Sequence, residues 1–347
     1  MRQHARVAMA VALVFALSPA AAHAFGGVKL GYDDKTRIAA KGQPVYPEGI
    51  AYDPVGKRIF VGSARLGHLF TVNETGELKQ FSSDERIATT LGIKVDALRG
   101  RVVAAVTDFG AGVRSKPEQR NQLAAVAVFD LATGKLLGLH DLTNLVPGPA
   151  HLANDVAIDR RGNIYVTDSL AHAIYKIDAG GAKSIFIASE QFKGEAAGFT
   201  LNGIDVHPDG YLLVVTKNDG KLFKVPLDDP KQFMAVKLPE PITAADGILL
   251  AGGDLLVIRN RVATVVGNEI VVLRSSDSWV SATIADRKPL EDHYATTATV
   301  RGTQIITVAS RLFWLLSTLK DNPDGLQQEF LIYTIGTLDG AVNPGSR

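Results

Sequence analysis

The chain has 347 residues with 37 Lys+Arg against 36 Asp+Glu, a formal net charge of +1, and no basic run. That balance argues against a partnership with nucleic acid or an anionic membrane surface. With no cysteine and 46% hydrophobic residues, the fold has to rest on a buried core and sheet pairing, without disulfides or thiolate metal sites.

Residues 1–24 read as a secretory signal peptide. Arg2 and Arg6 give a positive start, residues 7–17 an apolar run too short to span a bilayer, and Ala22-His23-Ala24 a small-residue cleavage site before Phe25. The expectation is an exported protein, periplasmic or secreted, without membrane insertion. From residue 25 to 347 no Pro- or Ser-rich linker marks a boundary, so a single domain is expected, with a short mobile tail from about 337.

The first predicted element opens at Glu48-Gly49-Ile50 and runs into a turn at Asp53-Pro54-Val55-Gly56, followed by a second strand at residues 58–62. The same phrase returns as Leu91-Gly92-Ile93 before Gly100, as Asn154-Asp155-Val156 before Gly162, and as Asn202-Gly203-Ile204 before Gly210. It returns again as Asp246-Gly247-Ile248 before Gly253. A sixth unit is placed at Tyr294, eight residues before Gly302, with His293 beside it. Asn154 to Asn202 spans 48 residues and Asn202 to Asp246 spans 44. Units of that length built of short strands make an all-β, six-bladed β-propeller. The last blade needs a strand from one chain end, either residues 330–335 or the segment from Val28. Trp279 and Trp314, with Phe60, Phe129, Tyr165 and Phe223, fall in strand-like segments and are expected to pack between blades.

The second unit carries about twelve extra residues, 109–120, after its second strand. This insertion is expected either to fold over the mouth as a lid, with Arg114, Lys116 or Arg120 meeting an anionic substrate, or to stand as a solvated loop. Asp108 and Asp168 each follow a threonine at a strand end near the mouth, where capping a turn or supporting a metal ligand from behind is the expected role.

A closed radial fold aims the residues at one register toward the axis. Glu48, Asn154, Asn202 and Asp246 would therefore meet there as two carboxylates and two amide oxygens. An all-oxygen field suits one hard divalent cation, Ca²⁺ first, with Mg²⁺, Mn²⁺ or Zn²⁺ behind it. Taken singly each of these motifs is a turn signal; their joint register is the argument for a shared site.

The motifs Pro47-Glu48-Gly49, Ala153-Asn154-Asp155, Leu201-Asn202-Gly203-Ile204 and Ala245-Asp246-Gly247 resemble the SMP-30/gluconolactonase/LRE-like (regucalcin) family, related to paraoxonase and diisopropyl fluorophosphatase. The resemblance covers about residues 45–310 and lies in short motifs. It implies a propeller with one divalent ion, usually calcium, at the channel mouth. It maps Glu48, Asn202 and Asp246 onto the family's metal ligands. Asn154 maps onto a position that binds metal in some members and contacts substrate in others. The blade 2 histidine of paraoxonases has no counterpart in Leu91-Gly92-Ile93. His293 is offset from the histidine that serves a second ion in phosphatase-like relatives.

The resulting expectation is a monomeric, metal-dependent hydrolase that opens a sugar-acid lactone or cleaves a small ester. Asp246 is the first candidate base, Asn154 and Asp155 are further catalytic candidates, and His151, Arg114 and Asp168 are candidate substrate contacts. A phosphotriesterase-like hydrolase and a non-catalytic, calcium-stabilised binding propeller are the alternatives.

Overall fold

The computed structural model describes residues 27–148, 150–194, 198–290 and 294–339. The proposed signal peptide, His293 and the end of the chain from 340 lie outside these residues. Six antiparallel sheets stand in a ring, each with its first strand innermost. The inner strands are Ile50–Asp53, Thr89–Asp96, His151–Ile158, Leu201–His207, Ala245–Ala251 and Ala295–Arg301, and each touches the next, the sixth closing on the first. Blade 3 also gains a short parallel strand, Gln122–Leu123, from the segment that follows the blade 2 insertion.

Both chain ends close the ring. In blade 6 the order from the axis outward is Ala295–Arg301, Gln304–Ala309, Glu329–Leu338 and Val28–Lys41, so the two segments offered as alternatives are adjacent strands of one sheet. With the inner strand of blade 6 against that of blade 1, each described blade has a neighbour on both faces.

The core is divided between the blades. One buried cluster joins blades 1 and 2 through Phe60, Ile93 and Phe129; another joins blades 3 and 4 through Tyr165, Ile204 and Phe223. Four more clusters join the remaining neighbours, including blade 6 to blade 1 through Val308, Ile332 and Phe70. Alternation along each strand explains this, since successive side chains point to opposite faces and every face meets another sheet.

The tryptophans need correcting. Trp279 packs in the cluster between blades 4 and 5, but from a turn, with φ +62°. Trp314 lies outside both the strands and the inter-blade cores. It ends the 3₁₀ turn Leu312–Trp314, leads into the helix Leu315–Asp321, and meets Phe313 and Tyr294 edge-on. Leu312, Leu315 and Leu319 have helical spacing, and this short period was hidden within a strand-rich sequence.

The glycines of the repeated phrase have a role other than turning. Gly49, Gly92, Gly203 and Gly247 do not have positive φ. A Cβ on Gly49 would strike the Leu91 carbonyl, one on Gly92 would strike Asp155, one on Gly203 would strike the Asp246–Ile248 main chain, and one on Gly247 would strike Thr297. Each glycine lets its strand approach the next blade's strand at the crowded axis. Gly203→Ala is therefore expected to cost about 1–3 kcal/mol through overpacking, read as a lower urea midpoint. An unchanged midpoint would contradict the close approach.

The sixth register residue also needs correcting. Strand pairing aligns Ile50, Ile93, Val156, Ile204, Ile248 and Ala298, so the axial residue of blade 6 is Thr296, two positions after Tyr294. Blade 6 turns in two residues between Arg301 and Gln304, whereas blade 1 uses four between Asp53 and Arg58, so counting back from the glycine overshoots. Thr296 Oγ1 donates to the Glu48 carbonyl at 2.6 Å and completes the circle.

Candidate metal centre at the channel mouth

Glu48, Leu91, Asn154, Asn202, Asp246 and Thr296 occupy one register in six blades, and the four oxygen-bearing side chains singled out in the sequence share one end of the axis. All four are buried, at 6%, 8%, 2% and 4% exposure for Glu48, Asn154, Asn202 and Asp246. Glu48 Oε2, Asn154 Oδ1 and Asn202 Oδ1 have no hydrogen-bond partner. Buried oxygens are costly to leave unpaired, and three of them in one ring are suited to a cation. Among the described residues no three His, Cys, Asp or Glu side chains form a metal-holding group. This ring has only two carboxylates, and amides supply the rest. Burial, then repulsion from Asp246 and Asp155, raises the Glu48 carboxyl well above its ordinary range, with Lys217 and Lys94 opposing. That is the cost of burying one carboxylate near two others, partly offset by the two lysines.

Part of the balance comes from a residue that the sequence reading missed. Lys217 places its ammonium 3.0 Å from Asp246 Oδ2 and 2.8 Å from Asn260 Oδ1, and Asn260 Nδ2 also donates to Asp246 Oδ2. Burial pulls the Lys217 ammonium down, but Asp246 and Tyr294 outweigh it and hold it above its ordinary value. Lys217 follows Asn202 by 15 residues, as Ser169 follows Asn154, and Asn260 follows Asp246 by 14. Each main-chain N–H donates to the carbonyl two residues before the ring residue: Leu152, Thr200 and Ala244. A fixed offset from the axial register was therefore the available signal.

Asp155 lies in the structural frame. Its Oδ1 accepts from Val156 N at 2.8 Å and its Oδ2 from Ile204 N at 3.4 Å, which ties blade 3 to blade 4. Burial raises its pKa to about 6, and Lys94 and the two N–H groups moderate the rise.

His151 and Asp168 pair with each other. His151 Nδ1 lies 2.9 Å from Asp168 Oδ2, which also accepts from Tyr175 Oη at 3.1 Å, while Asp168 Oδ1 takes the N–H groups of Leu152, Leu170 and Ala171. The hydrogen bond to Asp168 raises the His151 pKa against the pull of burial. Burial pushes Asp168 up, but the bonds from His151, Leu152, Ala171 and Leu170 outweigh it and keep it low. A raised histidine stabilises the fold below its ordinary 6.5 and loses that contribution as pH rises through its folded value. A lowered carboxyl stabilises above its ordinary 3.8 and loses that as pH falls through its folded value, so the pair contributes fully between the two. Asp168→Asn should move the His151 titration in histidine NMR to lower pH; an unmoved titration would contradict the pairing.

Arg114 is engaged elsewhere. Its guanidinium donates to the carbonyls of Ile87, at 2.9 Å, and Leu66. Asp108 caps the insertion, accepting from Gly110 N at 2.8 Å and Ser115 Oγ at 2.6 Å. The insertion contributes apolar residues to the mouth. Ala111 and Phe109 join a cluster with Tyr46, Leu91 and Leu152, and Leu315 of the helix completes it. Leu91 stands in the ring register, with Tyr46 and Leu152 two residues before it, so this cluster covers the ring's end of the axis. The cluster draws on two segments, the insertion and the blade 6 helix, and the second was not anticipated.

No protein-family model matches the chain, and no curated protein matches it. Solved structures do. The major Malassezia sympodialis allergen Mala s 1 is 16% identical, with 88% of this chain and 96% of that one covered at a TM-score of 0.66. A gluconolactonase from Xanthomonas campestris is 15% identical, with 86% and 88% covered at 0.57. Virginiamycin B lyase from Staphylococcus aureus is 14% identical, with 89% and 100% covered at 0.54. What they share with this chain is the overall fold. The fold is common to an allergen, a lactonase and a lyase, so function has to be argued from the ring and its cover.

Proposed function

We propose that the protein is a cation-dependent hydrolase of a small lactone or ester, with the reaction centre at the axial ring. The observation that carries this reading is the set of three buried, unpartnered oxygens on Glu48, Asn154 and Asn202 beside the Asp246 carboxylate. These four would hold a hard divalent ion, Ca²⁺ first, which when bound supplies Lewis-acid polarisation of a carbonyl. Asp246 is the carboxylate at hand to move a proton, with Lys217 and Asn260 fixing its orientation. Asn154 faces the same centre and serves as an orienting amide. The apolar cover of Tyr46, Leu91, Leu152 and Leu315 excludes water and favours an acyl group with a hydrocarbon face over a polyhydroxylated sugar acid. The same cover would suit a phosphotriester, which keeps that chemistry as the second reading. Membership of the SMP-30 group and export through residues 1–24 belong to this proposal. No helix among the described residues is long and apolar enough to cross a membrane.

The test is hydrolysis of a panel of sugar-acid lactones, alkyl lactones, aryl esters and a phosphotriester, after chelation and after stepwise return of Ca²⁺, Mg²⁺, Mn²⁺ and Zn²⁺. Turnover of an ester or lactone that vanishes and returns with one hard ion supports the proposal. No turnover with any ion, alongside a calcium-dependent rise in melting temperature, would replace it with a binding propeller.

A further inference from the structure

We propose that Lys217 is a built-in counter-cation that shares Asp246 with the bound ion and holds the affinity of the site down. The inference rests on the reading of the ring as a cation site and assigns that site a residue that sets its strength.

The position is specific to one blade. At the equivalent offset from the ring residue, blade 3 has Ser169, whose hydroxyl turns to the Leu201 carbonyl, and blade 5 has Asn260. Blade 4 has a lysine, and its ammonium is held on several sides. Asp246 Oδ2 lies at 3.0 Å, Asn260 Oδ1 at 2.8 Å, and the Tyr294 ring centroid at 5.7 Å. Asn260 is itself fixed, because its Nδ2 donates both to Asp246 and to the Ala295 carbonyl at 3.0 Å. The lysine is 8% exposed, so water screens its charge weakly.

One ammonium does not serve the whole ring. It meets Asp246 and leaves the Glu48, Asn154 and Asn202 oxygens without a donor. The ring therefore presents an unserved side to a second cation while its two carboxylates already face one positive charge. A divalent ion placed there is repelled by the ammonium and receives only part of Asp246. Both effects act in the same direction, toward weak and exchangeable binding. Removing the charge of Lys217 removes the repulsion and releases Asp246 to the ion.

The experiment is calorimetric titration of Ca²⁺ into the full chain, chelated beforehand, for wild type, Lys217→Met and Lys217→Gln. Near-ultraviolet circular dichroism confirms the fold of each. The glutamine keeps an amide donor for Asp246 and serves if the methionine variant fails to fold. The expected result is binding at least tenfold tighter in the folded variants than in wild type. Equal or weaker binding in folded variants, with wild type still binding Ca²⁺, would overturn the role of Lys217 and leave the cation-site reading standing. Absence of binding in wild type and variants alike would overturn both.

Discussion

Asp246→Ala is expected to lower the stability of the ion-free protein by about 3–5 kcal/mol, because it strands the Lys217 ammonium in a buried site. In direct contact Lys217 would be left with neutral partners, the Asn260 Oδ1 acceptor and the Tyr294 side chain, which it meets through both a hydrogen bond and the ring face. Urea unfolding in the presence of a chelator reads the effect directly. The double variant Asp246→Ala with Lys217→Met should recover most of the loss, because no charge is then left behind. A loss below about 1 kcal/mol in the single variant would mean that Lys217 finds other partners and that the pair matters little to the fold.

Glu48→Gln should act on the ion instead of on the fold. It removes one of the two ring carboxylates, and loss of a direct ligand should weaken ion binding at least about 100-fold, since outer partners alone cost 10–100-fold. At about 100 times its dissociation constant an ion stabilises the native state by about 2.7 kcal/mol, and this increment should vanish from the calcium-dependent melting of the variant. Ion-free melting should not fall, because the carboxylate removed is crowded by Asp246 and Asp155. A calcium-induced rise equal to that of wild type would place the ion elsewhere.

Much of the fold was legible because a propeller repeats. The spacing from Asn154 to Asn202 to Asp246 set the blade length, and the ligand register followed from the distance to each turn. The repeat is obscured where a turn changes length. The two-residue hairpin of blade 6 shifted the register from Tyr294 to Thr296, and no local residue type betrays that shift. The axial glycines were visible as residues, but taken singly they read as turn signals, because their reason is contact with a neighbouring blade about 45 residues away. Lys217 was missed for a similar reason. A lone lysine after a strand reads as surface, and only the ring's geometry carries it inward. The cover escaped as well, since Leu315 and Leu91 come from segments far apart in sequence that meet only once the ring has closed.

On the proposed reading, four blades each lend one oxygen-bearing side chain to a single cation. The most direct measurement is anomalous diffraction from crystals of the full chain soaked in Mn²⁺ after chelation. One strong peak is expected within ligand distance of Glu48, Asn154, Asn202 and Asp246. A structure from such crystals with no peak at the ring, or with its Mn²⁺ peak at another site, would contradict it.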